Sequence, residues 1–310
     1  MRLLHTDLTP FLARIPLFSG VPAPLATRLG GLTNVNYLLD AGGERFVLRI
    51  PGAGTAEYID RAAEAHAARS ASDAGVNADL VFFDASDGLM LTRHVAGAAT
   101  MSAERFRDLD AVARAATAFR RLHQEAQPFT TEFRLFSMID EYKALLASKK
   151  AVLPEGYGEV QRLADSARTA LEANPRSLKA CHCDPLCENF LDAGERMFII
   201  DYEYAGNNDP MWDLGDLSVE AGFDAVQDRV LLTAYFGGDP PAEQVGRMVV
   251  YKAMCDLLWT LWGVIQHVNG NTADDFWAYA TGRFERGRAL MSEPTYADYV
   301  SAIGSSGARR

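Results

Sequence analysis

No lysine precedes Lys143 in this 310-residue chain, so any cation that grips phosphate in the first lobe has to be arginine. Positive charge is short throughout. Thirty Lys and Arg against 41 Asp and Glu leave a net −11, which argues against the basic patch of a nucleic-acid binder. Cysteine is scarce: Cys181, Cys183, Cys187 and Cys255 are the four. A structural zinc site wants a second, distant Cys pair, which is missing, so these read as small buried thiols in a reducing compartment. No apolar run is long. Leu257 to Ile265, the most apolar, spans nine residues and follows Asp256, too short for a membrane span. The opening segment MRLLHTDLTPFLARIPLF has neither an uninterrupted apolar core nor a small-residue cleavage site, so a cytoplasmic protein is expected. Repeats and low-complexity tracts are absent, and only the tail SSGARR reads as disordered.

What remains is ordinary for a globular enzyme: 48% apolar and 23% charged residues, enough for one large core or two lobes. The informative stretch is Ala180 to Glu220. It holds His182-x-Asp184, then Asn189 five residues on, then Asp201 at the end of the apolar run Met197-Phe198-Ile199-Ile200. This is the layout of a phosphoryl-transfer site. One Asp takes a proton from a hydroxyl, while an Asn and a second Asp supply hard oxygens to Mg²⁺ on the phosphates of ATP. The alternative is a polar loop between two strands.

The first ninety or so residues read as a small β-rich lobe. Val35–Asp40 and Arg45–Ile50 are strand candidates separated by Ala41-Gly42-Gly43-Glu44, and Asp79–Phe83 and Gly88–Thr92 are two more. Ala56 to Asp73 is alanine-rich and reads as the one inserted helix, giving an order of five strands and a helix. Beyond Arg93, helices are expected over Ser102–Gln124, with Ser102 as N-cap, and over Phe133–Ser148 and Glu155–Ala173. Two short strands bracket the Asp184 loop, and helices dominate 212–291, broken at Gly237 to Pro241. The expectation is an α+β, bilobal, protein-kinase-like fold, with residues 1–95 as nucleotide-binding lobe and 96–310 as catalytic and acceptor-binding lobe.

These residues resemble the aminoglycoside phosphotransferase and choline/ethanolamine kinase superfamily, the second branch more closely, from about Gly30 to Arg283. The resemblance implies that Gly30-Gly31-Leu32-Thr33-Asn34 is a nucleotide loop between the first two strands, with Gly31, Thr33 and Asn34 at the phosphates. A plain hairpin turn is the other reading, and a rival motif at Gly52-Ala53-Gly54 lacks the third glycine of a dinucleotide fingerprint. It implies Arg49 where protein kinases carry their strand lysine, and Glu64 in the following helix as its ion-pair partner. Otherwise Arg49 is a surface strand residue and Glu64 an exposed helix charge. In the large lobe it implies Asp184 as catalytic base with His182 bracing the loop, and Asn189 and Asp201 as metal ligands. Asp213 falls where the family's helix-opening aspartate binds the loop backbone. Glu203 could serve a second metal, the substrate or the fold.

Trp259 and Trp262 sit three apart in LLWTLWGVIQ and share one helix face. Aromatic faces attract a quaternary ammonium through the ring quadrupole. The resemblance places Glu220 beside them as a carboxylate, with Phe276 and Tyr279 from the next helix as further cage positions. Plain core packing is the competing reading for the tryptophans. Together they imply transfer of the ATP γ-phosphoryl group, with Mg²⁺, to the hydroxyl of a small cationic alcohol, choline or ethanolamine. Thiamine or an aminoglycoside as acceptor, and a catalytically silent nucleotide or amine binder, are the alternatives; oligomeric state is left open.

Overall fold

The computed structural model describes residues 7–30, 34–52 and 59–304. Gly31 to Thr33 of the glycine turn, Ala53 and Gly54 of the rival motif, and the tail read as disordered all lie outside them. A short helix α1 (Thr9–Leu12) leads into five strands: β1 (Leu25–Arg28), β2 (Val35–Ala41), β3 (Glu44–Ile50), β4 (Leu80–Asp84) and β5 (Leu89–Arg93). They form one antiparallel sheet in the order β1-β2-β3-β5-β4. Sequence reading names four of the five. β1 escapes it because all four of its residues are exposed, so no alternation marks it. The expected four-residue break after β2 is a tighter turn. Gly42 and Gly43 alone make it, at φ 65° and 95°, the left-handed values that glycine takes freely. β4 and β5 each run one residue later than expected.

Alternation along β3 sorts its two faces. Phe46, Leu48 and Ile50 pack with Leu12, Ile15 and Phe18 into the small lobe's own core. Arg49, set between them, is carried to the opposite face, where α2 (Arg61–Asp73) lies. Of the helix expected from Ala56, Ala56 to Tyr58 lie outside the described residues, Ile59 and Asp60 are not helical, and the helix runs from Arg61. Asp60 fixes that start, its carboxylate accepting from the Ala62 and Ala63 N–H groups.

The large lobe begins with β6 (Ala99–Thr100) and α3 (Leu109–Glu125). The continuous helix expected from Ser102 does not form. Ser102 Oγ instead accepts from Arg105 N (3.3 Å) at a single tight turn, Arg105–Arg107, and Asp108 opens α3 by accepting from Asp110 N. The next helices, α4 (Leu135–Ser148) and α5 (Tyr157–Ala173), each begin two residues later than expected. Phe133 is drawn off by a bond from its N–H to Asn207 O (3.1 Å), and Gly156 sits at φ 81°.

Four short strands follow, β7 (Lys179–Cys181), β8 (Phe190–Asp192), β9 (Met197–Ile199) and β10 (Gly206–Asn208), paired as β10-β7 and β6-β8-β9. They hold the loops that carry Asp184, Asn189 and Asp201. Helices α6 (Pro210–Glu220), α7 (Ala225–Phe236), α8 (Ala242–Val268), α9 (Phe276–Met291) and α10 (Tyr296–Ala302) complete the expected α+β, bilobal architecture. The nine-residue apolar run is only part of α8, whose 27 residues are long and apolar enough to cross a bilayer. Its most apolar window is 83% buried within the fold, which marks α8 as the axis of the large lobe's core.

Candidate active site

The Asp184 loop is held in a conformation its sequence would not choose. Cys183, just before Asp184, has φ 68°, and Asp201 has φ 71°. Each left-handed non-glycine residue costs on the order of 1–3 kcal/mol, which its surroundings must supply. They do so through Asp213 at the start of α6. Its carboxylate accepts from His182 N (2.7 Å) and Cys183 N (2.8 Å), as the sequence suggested. Trp212 Nε1 donates to Cys183 O (3.2 Å), and His123 of α3 reaches Asp213 through Nε2 (3.0 Å). His182 is fully buried, and burial lowers its pKa, so the ring is neutral. Its Nε2 donates to Ile200 O (2.9 Å), tying the Asp184 loop to the residue before Asp201. It braces.

Asn189 closes this unit. Its Nδ2 donates to Asp184 O (3.0 Å), while its own carbonyl accepts from Ile200 N (2.9 Å). Asp184, Asn189 and Asp201 therefore belong to one hydrogen-bonded frame. Asp184 is half-buried, and desolvation, then the charges of Glu220 and Asp201, push its pKa to about 7 against the pull of Arg283. A carboxylate so poised suits proton abstraction near neutral pH.

Across the cleft, the expected Arg49–Glu64 ion pair is formed and buried. Arg49 Nη1 also donates to Asp201 Oδ1 (2.9 Å) and lies 3.4 Å from Glu203 Oε1. Arg61, which the sequence reading passed over, bonds Glu64 Oε2 at 2.6 Å and lies 3.6 Å from Glu203. Its spacing of three from Glu64 on a helix was the available signal. Asn34, at the described end of the glycine turn, donates to Glu203 and accepts from Gly52 N (3.3 Å). Gly31 and Thr33 fall outside the described residues.

Carboxylate oxygens of Glu64, Asp201 and Glu203 all lie within 4.8 Å of one another. Three carboxylates face two guanidiniums, leaving one negative charge in excess. Burial raises the pKa of both Glu64 and Asp201, which an added cation would relieve. Asp201 is the most open of the three, with 37% of its side chain accessible. Oxygen donors with surplus negative charge fit a hard divalent ion such as Mg²⁺.

The aromatic residues converge as well. Trp259 and Trp262 meet edge to face at 6.1 Å, and Trp262 meets Phe276 at 5.6 Å and Tyr279 at 5.7 Å. Tyr204, three residues past Asp201, adds a ring 6.1 Å from Trp259; sequence reading missed it, though it stands beside Glu203. Gly263 makes the α8–α9 approach possible, since a Cβ there would lie 2.8 Å from the Tyr279 ring. Trp277 goes elsewhere, to His267 at 5.4 Å. Glu220 lies at this end but is paired with Arg283, whose guanidinium stands 4.8 Å over the Tyr279 ring and 3.5 Å from Asp256. Glu220 acts on the charge of Asp184, and the Tyr204–Trp259 contact sets the aromatic group beside the loop that carries Asp201.

Comparison with known proteins identifies the family and the fold. Residues 25–245 match the model of the phosphotransferase enzyme family. A choline/ethanolamine kinase family protein from Mesorhizobium loti, solved as a crystal structure, is 52% identical. It superposes with a TM-score of 0.87, over 95% of this chain and 97% of that one. The choline kinase LicA from Streptococcus pneumoniae is 26% identical, with a TM-score of 0.73 over 92% of this chain and 98% of its own. Protein LicA of Haemophilus influenzae is 30% identical over 86% of this chain and 79% of that protein.

Proposed function

Because the chain belongs to the phosphotransferase enzyme family, within its choline/ethanolamine kinase branch, we propose that it moves the γ-phosphoryl group of ATP to the hydroxyl of choline, with ethanolamine as the poorer acceptor. The carrying observation is the convergence of Asp184, Asn189 and Asp201 in one frame, with Arg49 on one side and the Trp259–Trp262 cluster on the other. Residues 1–95 would hold the nucleotide and residues 96–310 the acceptor and the chemistry.

The hydroxyl oxygen attacks the γ-phosphorus as the bond to the bridging oxygen of ADP breaks. Asp184 takes the hydroxyl proton. His182 and Asp213 keep its loop in the strained conformation that aims it. Arg49, oriented by Glu64, offers a fixed planar fork to phosphate oxygens. Asn189 and Asp201 would hold Mg²⁺, with Glu203 near, and the ion would neutralise charge developing on the phosphates. The rings around Trp262 would seat the ammonium and so bring the hydroxyl to Asp184, where proximity contributes most.

Choline is preferred because Glu220 is already engaged by Arg283, leaving the rings as the main attraction. Ethanolamine, with three N–H donors, wants free carboxylates more than rings. Four buried thiols and the need for ATP suit the cytoplasm, the compartment we assign. The test is turnover of a hydroxy-amine panel with Mg-ATP, comparing the native chain with Trp259→Ala/Trp262→Ala. We expect choline to lead by kcat/KM and to lose that lead in the double variant. Unchanged choline selectivity there would end the cage assignment, and no turnover of either amine alcohol would end the acceptor assignment.

A further inference from the structure

We propose that seating the cationic alcohol among the rings drives a proton off Asp216, so that acceptor binding releases a proton to solvent. The inference rests on the acceptor class proposed above and adds a residue to it. Asp216 lies in the middle of α6, 1% exposed. Its Oδ1 accepts from the Cys255 thiol at 3.1 Å, a weak donor, and its Oδ2 is buried without any hydrogen-bond partner. Glu220 follows one turn later on the same helix face. Ligand atoms of Asp216, Glu220 and Cys255 lie within 4.8 Å of one another.

The charged and titratable groups facing Asp216 from other elements are few. Cys255 comes from α8, Arg283 from α9, and Asp184 and Cys183 from the catalytic loop. Arg283 is committed to Glu220 and Asp256. On helices packed against α6, Lys252 is paired with Asp228 and Arg247 with Asp209, Arg114 with Asp192 and Arg121 with Glu125, and Arg229 with Asp239. Three carboxyl groups, Asp184, Asp216 and Glu220, thus share one guanidinium. Two buried carboxylates this close do not both ionise. Glu220 has the arginine and Asp184 has the cleft, so Asp216 keeps the proton. Burial, then the charges of Glu220 and Asp184, raise its pKa well above the carboxylate range.

An ammonium entering this weakly screened region supplies the missing positive charge. The carboxyl then loses its proton: cation plus neutral acid becomes a bound cation, a carboxylate and one proton in solvent. By linkage, apparent affinity rises with pH, by at most about tenfold per unit for one proton.

Calorimetric titration of the full chain with choline, in two buffers of different ionisation enthalpy at about pH 8.5, reads the proton directly. Asp184, at about 7, is already ionised there. We expect release of roughly half to one proton per choline, and none from Asp216→Asn, titrated with enough choline to saturate its weakened site. Heats that do not depend on buffer in the native chain, or equal release from the variant, overturn the proposal. Infrared difference spectra of the native chain need no variant. Loss of a protonated-carboxyl band on adding choline supports the proposal, and an unchanged band overturns it. Choline binding without a proton defeats this inference alone, whereas no binding of choline or ethanolamine defeats the acceptor assignment.

Discussion

Asp184 can serve as base only when ionised, and its neighbourhood holds it near pH 7. The free enzyme is reported by kcat/KM, which should therefore climb about tenfold per pH unit below 7 and level off above it. A flat profile between pH 5 and 8 would remove Asp184 as base. The same shift has a stability sign. A carboxyl whose folded-state pKa lies above its ordinary value of 3.8 destabilises the fold as pH rises past 3.8, and fully so above 7. Asp184→Asn should thus raise Tm by roughly 2–5 °C at pH 8, do nothing at pH 4, and lower kcat by about 10²–10⁴-fold. Glu64 has its pKa raised by burial in the same way, but it is buried against two arginines, so removing its charge acts mainly by stranding theirs. Glu64→Gln deprives both of that carboxylate and should destabilise by about 3–5 kcal/mol in urea unfolding, with KM for ATP raised. A loss below about 1 kcal/mol would mean that the cluster is looser than its geometry implies.

At the scale of elements, the acceptor end depends on how closely α9 lies on α8. Gly263 permits that approach, because its Cβ position is 2.8 Å from the Tyr279 ring and 3.0 Å from Ala280 Cβ. Gly263→Ala should push Tyr279 aside and raise KM for choline several-fold, with kcat changed less than twofold. Equal loss in both constants would place the effect in the fold rather than the cage. The element order was legible because strands, glycine turns and alanine-rich helices carry local signals, and so was the Asp184–Asn189–Asp201 spacing. Much of what escaped was set by long-range partners. Asn207 draws Phe133 out of α4; the start of α3 is an exception, because Asp108 caps it locally through Asp110 N and sequence reading chose Ser102 instead. Tyr204 and Arg283 join the site through residues far away in sequence, whereas Arg61 beside Glu64 and Asp216 beside Glu220 carry a helical spacing that sequence reading passed over. Pairing across the fold, as in Arg283 with Glu220, leaves no periodic trace to read.

At the scale of the whole molecule, the two lobes meet through charge. Arg49, from the small lobe's sheet, and Asn34, just before β2, bind Asp201 and Glu203 of the large lobe, and Arg61 adds a third contact at Glu203. The cluster keeps one negative charge in excess within a chain already at −11. A polyanionic nucleotide entering alone meets Asp201, Glu203 and Glu64 and competes with Asp201 for Arg49. With a divalent cation that repulsion turns into shared coordination. Thermal unfolding should therefore distinguish the two cases. Mg-ATP at about a hundred times its Kd should stabilise by about 2.7 kcal/mol, whereas the same ATP with EDTA should give only a small part of that shift. Asp201→Asn should narrow the gap from both sides, binding free ATP better and Mg-ATP worse, because it removes a repelling charge and a ligand together. Equal stabilisation by ATP with and without the metal would show that the nucleotide is held by arginine alone, and Asn189 and Asp201 would lose their assigned role.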